Sequence, residues 1–228
     1  MELLFKNNGV LLNDYQIEKL KEFKNLLVFY NNKFNLTSIK EENEIYIKHF
    51  YDSIYCEKYF SKNSKGIEIG SGGGFPSIPL MIYRDDLTFT LVESTGKKCE
   101  YLKEVIKTLN LKGEVINARA EDLGKNENYR EKFDFVTARA VAKLNTLSEY
   151  CIPFIKEGGV FIAYKGENKE EIIESENAIK TLGGKLYKNE NYFLPLNMGE
   201  RNVYVIKKIE KTPLKYPRGN GKERSKPL

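Results

Sequence analysis

The segment Ile67-Glu68-Ile69-Gly70-Ser71-Gly72-Gly73-Gly74-Phe75-Pro76 passes from a short apolar run into a helical pattern through a glycine-rich turn. Glycine suits positions where the chain turns sharply and where the backbone must come close to a ligand. Proline is well tolerated in the first turn of a helix, because its missing N–H leaves no helical hydrogen bond unmade there. The segment therefore predicts a strand, a ligand-binding loop and a helix, in that order.

Short apolar runs alternate with helical stretches beyond this turn. The predicted strands lie at residues 66–69, 87–92, 114–116, 133–136 and 159–163, and the predicted helices lie near residues 77–84, 98–109 and 143–156. Repeated strand and helix order predicts an α/β fold whose mostly parallel sheet is covered by helices on both faces. The run at 202–206 has no helix after it, and we expect it to close a seven-stranded sheet as the antiparallel partner of a strand near 186–193.

Two amphipathic helices are predicted ahead of the sheet. Between Asn13 and Asn35 the apolar residues lie three or four apart, which is typical of a helix with one buried face, and Asn13 or Asp14 is the candidate N-cap. A second helix is predicted over residues 41–60. The predicted organisation is a helical N-terminal cap at 1–62, an α/β domain at 63–209 and a basic tail at 210–228.

The composition is that of an ordinary globular protein, since 41% of the 228 residues are hydrophobic and 30% are charged. The three cysteines lack metal-ligand spacing and His49 is the single histidine, so no metal site is expected. Such cysteines favour burial as small apolar residues in a reducing compartment. Since no apolar run is long enough to span a membrane, we expect a cytoplasmic protein without membrane association, and we expect a monomer.

Basic charge is concentrated near the C-terminus. Residues 207–226 carry eight basic and two acidic side chains, whereas the net charge of the whole chain is only +5. Such a segment can contact nucleic-acid phosphates, and it can equally serve as a solubilising tail without fixed structure. The prolines and glycines among these charges predict poor order over the last dozen residues.

The glycine pattern separates two classes of cofactor. A dinucleotide-binding loop has the pattern G-x-G-x-x-G, whose third glycine lets the helix pack closely beneath a pyrophosphate. Here Phe75 occupies that position, and the extra glycine is Gly74. The pattern G-x-G-x-G departs from a dehydrogenase and matches the loop of class I methyltransferases, whose ligand has no phosphate. We therefore expect S-adenosylmethionine to bind at Gly70, Gly72 and Gly74.

Two acidic residues follow the loop in the order that an adenosine ligand requires. Glu93 ends the second predicted strand, where a carboxylate can accept hydrogen bonds from ribose hydroxyls. Glu121 follows the third strand, where it can accept a hydrogen bond from the adenine amino group. Taken singly, the first is equally well explained as a solvated strand end and the second as an acid at a helix N-terminus. The order of the loop and the two acids together favours cofactor binding.

Five segments spread over nearly the whole chain carry a resemblance to a known family. They are Asn35-Leu36-Thr37-Ser38, Lys48-His49-Phe50-Tyr51-Asp52-Ser53, Gly70 to Pro79, Thr137-Ala138-Arg139-Ala140 and Thr212-Pro213-Leu214-Lys215-Tyr216-Pro217-Arg218. Together they closely resemble the bacterial small-subunit ribosomal RNA methyltransferase G family, also called glucose-inhibited division protein B. One small departure is Glu68, where relatives often carry aspartate.

The resemblance implies a class I methyltransferase fold, which is Rossmann-like, with a helical N-terminal cap. It implies transfer of a methyl group from S-adenosylmethionine to N7 of one guanine in the 530 loop of 16S ribosomal RNA. The partner would be that RNA or the small ribosomal subunit. The resemblance also implies cofactor contacts at Gly70, Phe75, Ala120, Glu121 and Arg139.

The residue types present fit this reaction. Guanine N7 is a lone-pair acceptor, so its methylation needs no general base. The chain contains neither the Pro-Cys nucleophile of pyrimidine C5 methylation nor the Asn/Asp-Pro-Pro-Tyr motif of exocyclic-amine methylation. Arg139, after the fourth strand, is the candidate catalytic residue, which would hold the cofactor or donate to guanine O6. The alternative for Arg139 is a structural ion pair, and His49 is more typical of a packed or capping residue.

Basic side chains near the predicted cofactor face and in the tail are the candidate RNA contacts, namely Lys97, Lys98, Lys165, Arg201, Lys211, Lys215 and Arg218. Three other interpretations stay open: a methyltransferase for another RNA or a small molecule, a nucleotide-binding dehydrogenase, and a non-catalytic RNA-binding protein. Whether the substrate is naked RNA, an assembly intermediate or the complete subunit also stays open at this point.

Overall fold

A seven-stranded sheet forms the centre of the protein in the computed structural model, which describes residues 1–167 and 170–228. Its strands are β1 (Lys65–Ile69), β2 (Thr88–Glu93), β3 (Gly113–Asn117), β4 (Phe133–Arg139), β5 (Ile155–Lys165), β6 (Gly184–Phe193) and β7 (Glu200–Lys208). The strand order is β3-β2-β1-β4-β5-β7-β6. Strands β1 to β5 pair in parallel, and β7 pairs antiparallel with both β5 and β6. The predicted α/β class and the antiparallel last strand are therefore confirmed.

Helices and short turns flank the sheet. They are α1 (Glu2–Asn7), α2 (Asp14–Asn31), α3 (Glu42–Glu44), a π-helix at Ile45–Tyr51, α4 (Asp52–Tyr55), α5 (Ser77–Tyr83), α6 (Gly96–Thr108), α7 (Ala120–Leu123), α8 (Leu144–Cys151), α9 (Glu171–Thr181) and α10 (Lys222–Ser225), with single 3-10 turns at Glu57–Tyr59, Ile152–Phe154 and Pro195–Asn197. Helices α5, α6 and α8 agree with the sequence prediction, whereas α1 and α9 were not anticipated. Within the described ranges, no helix is long and apolar enough to cross a membrane.

Two hydrophobic layers cover the two faces of the sheet. Successive side chains of a strand point to opposite faces, so neighbours along the chain belong to different layers. Phe135 of β4 packs in the layer that includes residues of α2, α5 and α6, and Val136 packs in the layer that includes residues of α8 and α9. Both faces are thus buried, as the near-continuous apolar runs in the strand sequences predict.

Helix α2 is fixed by a capping box and by burial of its apolar stripe. The Asn13 side chain accepts a hydrogen bond from the Gln16 backbone N–H, and the Gln16 side chain accepts one from the Asn13 backbone N–H, each at 2.9 Å. This confirms Asn13 as the N-cap. The buried residues Leu20, Phe23 and Leu27 belong to the same hydrophobic layer as the sheet residues. The predicted N-terminal cap therefore shares the core of the α/β domain.

The prediction of one continuous helix over residues 41–60 is wrong. The structure places three helical residues first, then the π-helix at Ile45–Tyr51, then α4 and a separate 3-10 turn. A π-helix has a wider turn than an α-helix and is frequently found at functional sites. The apolar residues of this stretch are nevertheless buried, and the π-helix brings Lys48 and His49 to the carboxyl-terminal edge of the sheet.

The prediction of a poorly ordered C-terminus is also wrong, because the tail packs against the domain. Tyr216 and Glu223 are buried, and the Arg130 guanidinium donates to the Tyr216 carbonyl at 2.7 Å. Arg218 forms a forked ion pair with Glu149 of α8, with nitrogen to oxygen distances of 2.7 to 3.1 Å. These long-range contacts fix the tail on the domain, although its composition is typical of a disordered segment.

Replacing Arg218 with alanine is expected to destabilise the protein by about 3 kcal/mol, because the Glu149 carboxylate would stay buried without its partner. The matched control is Lys211→Ala in the same segment, whose side chain is exposed and whose loss should cost less than about 0.5 kcal/mol. Urea unfolding followed by circular dichroism measures both free energies of unfolding. Equal stability of the two variants would contradict the anchored tail.

Candidate functional site

The glycine-rich loop follows β1 and leads into α5, as predicted. Gly70 and Gly74 have positive φ angles of 70° and 87°. A Cβ atom on Gly70 would lie 2.7 Å from the side chain of Val141, and one on Gly74 would lie 2.6 Å from that of Ile78. Both positions therefore require glycine for conformational and steric reasons. Pro76 directly precedes the first residue of α5, in agreement with the sequence prediction.

A buried carboxylate supports this loop from beneath. The Ser77 backbone N–H donates to Glu68 Oε1 at 3.1 Å, and the Ser77 hydroxyl donates to Oε2 at 2.6 Å. Burial raises the pKa of Glu68 to about 7, while these hydrogen bonds oppose the rise. Glu68 thus connects the end of β1 to the start of α5 and fixes the shape of the turn between them.

Glu93 closes the loop from the neighbouring strand. Its Oε2 accepts a hydrogen bond from the Gly72 backbone N–H at 3.0 Å, and its Oε1 accepts one from the Thr95 backbone N–H at 2.8 Å. An ionised carboxylate has about four lone-pair sites, so it can accept further hydrogen bonds from a ligand. Glu93 also lines the larger cavity described next, where the sequence predicts a ribose.

Two adjoining cavities open at the carboxyl ends of the strands. The larger has a volume of about 840 Å³ and the smaller about 310 Å³, and Gly70, Ser94 and Val141 line both. They lie where the loops after β1 and β4 diverge, which is the switch point of this strand order and the usual ligand site of an open α/β sheet. Their combined shape suits an elongated ligand.

The smaller cavity combines apolar residues at the strand ends with polar and charged side chains. Its apolar residues include Ile69 and Val92 from the strand ends, and Ala120 and Glu121 line it from α7. The predicted positions for adenine are therefore brought together with the loop glycines. Ala120 is the first residue of a helix, where backbone N–H groups lack partners within the helix and can donate to a ligand.

Arg139 lies at the end of β4 and connects the larger cavity to the π-helix. Its guanidinium donates to His49 Nδ1 at 2.9 Å, to the Lys48 carbonyl at 3.2 Å and to the Asp52 carboxylate at 3.1 Å. The guanidinium carbon also lies 4.8 Å from the centre of the Phe75 ring. The predicted catalytic residue is thus held rigidly by contacts from two parts of the chain.

His49 is a neutral imidazole in this cluster. Burial, and next the charge of Arg139, lower the pKa of His49 to about 3. Because a guanidinium can only donate, Nδ1 must be the acceptor and the proton resides on Nε2, which donates to Thr37 Oγ1 at 2.8 Å. The ring also stacks on Phe75 with centroids 4.2 Å apart. Both ring nitrogens are engaged, so His49 offers no acceptor for a substrate proton.

Asp52 is the buried acid that anchors the cluster. It is 2% exposed, and it accepts a hydrogen bond from the Tyr192 hydroxyl at 2.6 Å in addition to the one from Arg139. Arg201 lies 3.6 Å away on the other side. The sequence prediction assigned no role to Asp52, Thr37 or Tyr192. The first two fall within segments that resemble the family, which was the available signal, whereas nothing in the sequence singled out Tyr192.

The predicted RNA contacts fall into two groups, of which the first remains accessible. Lys98 and Arg201 line the larger cavity. Lys97 is exposed near the start of α6, and Lys211 and Lys215 are exposed in the tail. The four lysines can meet a polyanion without giving up an ion pair within the described residues, whereas Arg201 also lies 3.6 Å from the buried Asp52 carboxylate.

Lys165 and Arg218 form the second group and are paired inside the protein. Lys165 Nζ donates to the Ala142 carbonyl at 2.7 Å and lies 2.8 Å from the Glu171 carboxylate. Arg218 is held by Glu149. These ion pairs already satisfy both charges. We therefore assign no phosphate contact to either side chain. In the described part of the chain, no group of acids, cysteines and histidine could hold a metal ion.

Comparisons with known proteins agree on one family. The family model described as rRNA small subunit methyltransferase G matches residues 16–194. The ribosomal RNA small subunit methyltransferase G of Brevibacillus brevis is 49% identical over 224 residues, which cover 96% of this chain and 94% of that protein. The protein of the same name from Lactobacillus helveticus is 46% identical, with 99% and 96% covered.

Solved structures show the fold at lower identity. A TYW2 protein of M. jannaschii in complex with AdoMet has a TM-score of 0.52 and 21% identity, with 70% of this chain and 76% of that chain covered. A SAM-dependent methyltransferase from Aquifex aeolicus has a TM-score of 0.53 and 14% identity, with 73% and 93% covered. These likenesses confirm the predicted fold class.

The neutral state of His49 can be observed directly, because it is the only histidine in the chain. With its pKa lowered to about 3, its ring C–H resonances should not shift in NMR spectra between about pH 7.5 and pH 5, where a free histidine titrates. The unfolded chain gains a proton near pH 6.5 and the folded chain does not, so stability should fall by about 1.4 kcal/mol at most per pH unit below that value.

His49→Gln is the matched variant for this test, since glutamine retains hydrogen-bonding groups but does not titrate. It should lose the part of the pH dependence of unfolding that lies between about pH 6.5 and pH 5. A histidine resonance with a midpoint near the unperturbed value of about 6.5 would contradict the buried neutral imidazole.

Proposed function

This chain belongs to the rRNA small subunit methyltransferase G family, and we propose that it transfers a methyl group from S-adenosylmethionine to N7 of a guanine in the 530 loop of 16S ribosomal RNA. The observation that carries the proposal is the glycine-lined double cavity at the switch point of the sheet, with Arg139 fixed in the wall of its larger part. We further propose that the protein acts as a monomer in the cytoplasm, where its RNA substrate is found.

The proposed seat of S-adenosylmethionine extends over both cavities. Gly70, Gly72, Gly74 and Phe75 would hold the methionine portion, and Glu93 would accept hydrogen bonds from the ribose. The adenine would lie in the smaller cavity beside Ala120 and Glu121. The lining residues support this placement: apolar residues at the strand ends can contact a flat base, and the carboxylates can accept hydrogen bonds from ligand groups that donate. The cofactor supplies an electrophilic methyl group, which an attacking lone pair can take up.

The chemistry proposed for the protein is orientation of the base rather than proton transfer. Guanine N7 attacks with a lone pair and carries no proton to remove. The neutral His49 with both nitrogens engaged is consistent with that requirement. Holding the two reactants in line can contribute roughly 7–11 kcal/mol to lowering the barrier.

Arg139 is proposed to position the guanine and to contact the cofactor in the larger cavity. Its three hydrogen bonds to described residues leave two of the five guanidinium N–H donors for a ligand oxygen such as guanine O6. Positive charge moves onto the base during methylation, which makes O6 a weaker acceptor, so this donor acts chiefly in orienting the base. Lys97, Lys98, Arg201, Lys211 and Lys215 are proposed to contact RNA phosphates.

The decisive experiment supplies labelled S-adenosylmethionine and small ribosomal subunits that lack the modification, and then maps the labelled nucleotide. The expected result is one N7-methylguanine in the 530 loop. Parallel reactions with naked 16S RNA and with assembly intermediates identify the preferred substrate. Label in transfer RNA or in a small acceptor alone would favour another methyltransferase, and cofactor binding without transfer to any of these would favour a non-catalytic RNA-binding protein.

Arg139→Lys is the informative variant in that assay, because it retains the positive charge and loses the planar fork that reaches His49 and Asp52 together. Its turnover should fall on the order of a hundredfold, the usual effect of removing one fixed donor. Its unfolding should be compared with that of the parent protein to separate activity from stability. Parent-like turnover would contradict a role for this guanidinium.

RNA contacts should appear in the salt dependence of binding. Each phosphate contact contributes a slope of about −0.7 to the plot of log affinity against log salt for single-stranded RNA. Lys97→Ala and Lys98→Ala should each make the slope shallower by about that amount, since Lys98 lines the larger cavity and Lys97 is its exposed neighbour. Lys132→Ala is the control, since this exposed lysine lies at the amino end of β4, opposite the cavities. Equal slopes in all three variants would contradict the proposed contacts.

A further inference from the structure

The smaller cavity has a wall that comes from the C-terminal tail. Gly221 and Arg224 line it together with Glu121 of α7 and Tyr150 of α8. The remaining lining residues come from strand ends and the loops after them, which form the ligand site of any open α/β sheet. The tail lies outside that unit and reaches the cavity from 70 or more residues away in sequence. Its presence there is a property of this chain rather than of the fold.

Specific contacts hold the tail in this position on α8. Arg218 forms an ion pair with Glu149, and the Thr146 hydroxyl donates to the Glu223 carbonyl at 2.9 Å. The Gly219 backbone N–H donates to the Glu223 carboxylate, which folds the tail back on itself just before α10. Glu223 is completely buried, so the side chain that follows it, Arg224, leaves this anchored point on the cavity side.

Arg224 brings a positive charge to a cavity that Arg119, Glu121 and Tyr150 also line. Burial raises the pKa of Tyr150, and the Arg224 side chain opposes that rise, which indicates that the guanidinium lies close to the phenol. Glu121, which also lines this cavity, can accept a hydrogen bond from an exocyclic amine, whereas a guanidinium can donate to ring nitrogens or stack on a flat base. Glu121 and Arg224 thus offer complementary contacts to an adenine.

We propose that the C-terminal segment, residues 218–228, completes the adenine end of the cofactor seat, with the Arg224 guanidinium in contact with the base. The proposal rests on the cofactor seat proposed above and adds a positioning element to it. Cofactor binding and tail docking are then linked. A ligand that contacts the docked tail stabilises docking, and release of the tail lowers the affinity for the ligand. Arg224 acts on the cofactor in this arrangement rather than on RNA phosphates.

The first test measures binding of S-adenosylhomocysteine by titration calorimetry. Arg224→Ala should weaken this ligand about tenfold, the effect of losing one charged hydrogen bond. Lys222→Ala is the matched control, because this exposed neighbour on α10 does not line the cavity, and it should change affinity by less than about twofold. The Arg224 side chain is exposed, so its removal leaves the core intact.

The second test is amide hydrogen exchange of the parent protein with and without the same ligand. At a ligand concentration about a hundred times the Kd, exchange of amides in residues 219–226 should slow by up to about a hundredfold. Parent-like affinity of Arg224→Ala, or tail amides that exchange at the same rate with and without ligand, would overturn the proposal. If the parent protein itself fails to bind S-adenosylhomocysteine, the proposed cofactor seat fails first, so the two failures are distinguishable.

Discussion

The Arg139 guanidinium is the contact on which the rest of the site depends. It lies at the end of a central strand, and it binds the Lys48 carbonyl and His49 of the π-helix and Asp52 at the start of α4. Asp52 is almost fully buried. Without Arg139, its carboxylate would lose a cationic partner that offsets the cost of burying its charge. The stacking of His49 on Phe75 then connects the same cluster to the glycine loop. One side chain therefore fixes three parts of the chain around the larger cavity.

The cavities are assembled from segments at both ends of the sequence around a fold that is shared with many proteins. The N-terminal π-helix forms one wall of the larger cavity, and the tail forms one wall of the smaller. The sheet supplies the loops between these walls, and the common hydrophobic layer of α2 and the sheet keeps the N-terminal helices from moving independently. Specificity for a substrate can thus reside in the added segments, while the α/β unit provides the place for the cofactor.

The features that sequence reasoning predicted correctly are those set by local patterns. The glycine loop, the strand and helix alternation and the Asn13 cap depend on residues close together in the chain. The errors concern contacts between distant residues. The composition of the tail predicted poor order, yet Arg218 forms an ion pair with Glu149, which is 69 residues away in the sequence. The apolar periodicity predicted one α-helix over residues 41–60. The structure has a π-helix within this range, and the Lys48 carbonyl of that helix accepts a hydrogen bond from Arg139. The ion pair between Lys165 and Glu171 was not predicted either.

The charges of the Arg139 cluster also suit a cationic cofactor. A sulfonium ion would be repelled by an arginine beside a protonated histidine, and the structure avoids that arrangement in two ways. Burial and Arg139 keep the pKa of His49 far below neutral pH, and Asp52 offsets the guanidinium charge. The cluster thus offers oriented N–H donors whose positive charge Asp52 partly offsets, and Glu93 adds a negative charge at the loop. Unpaired cations such as Lys97 lie outside, where they can meet phosphates. The structure therefore places paired charges beside the proposed cofactor site and exposed lysines around it, an arrangement that suits methyl transfer to a polyanion.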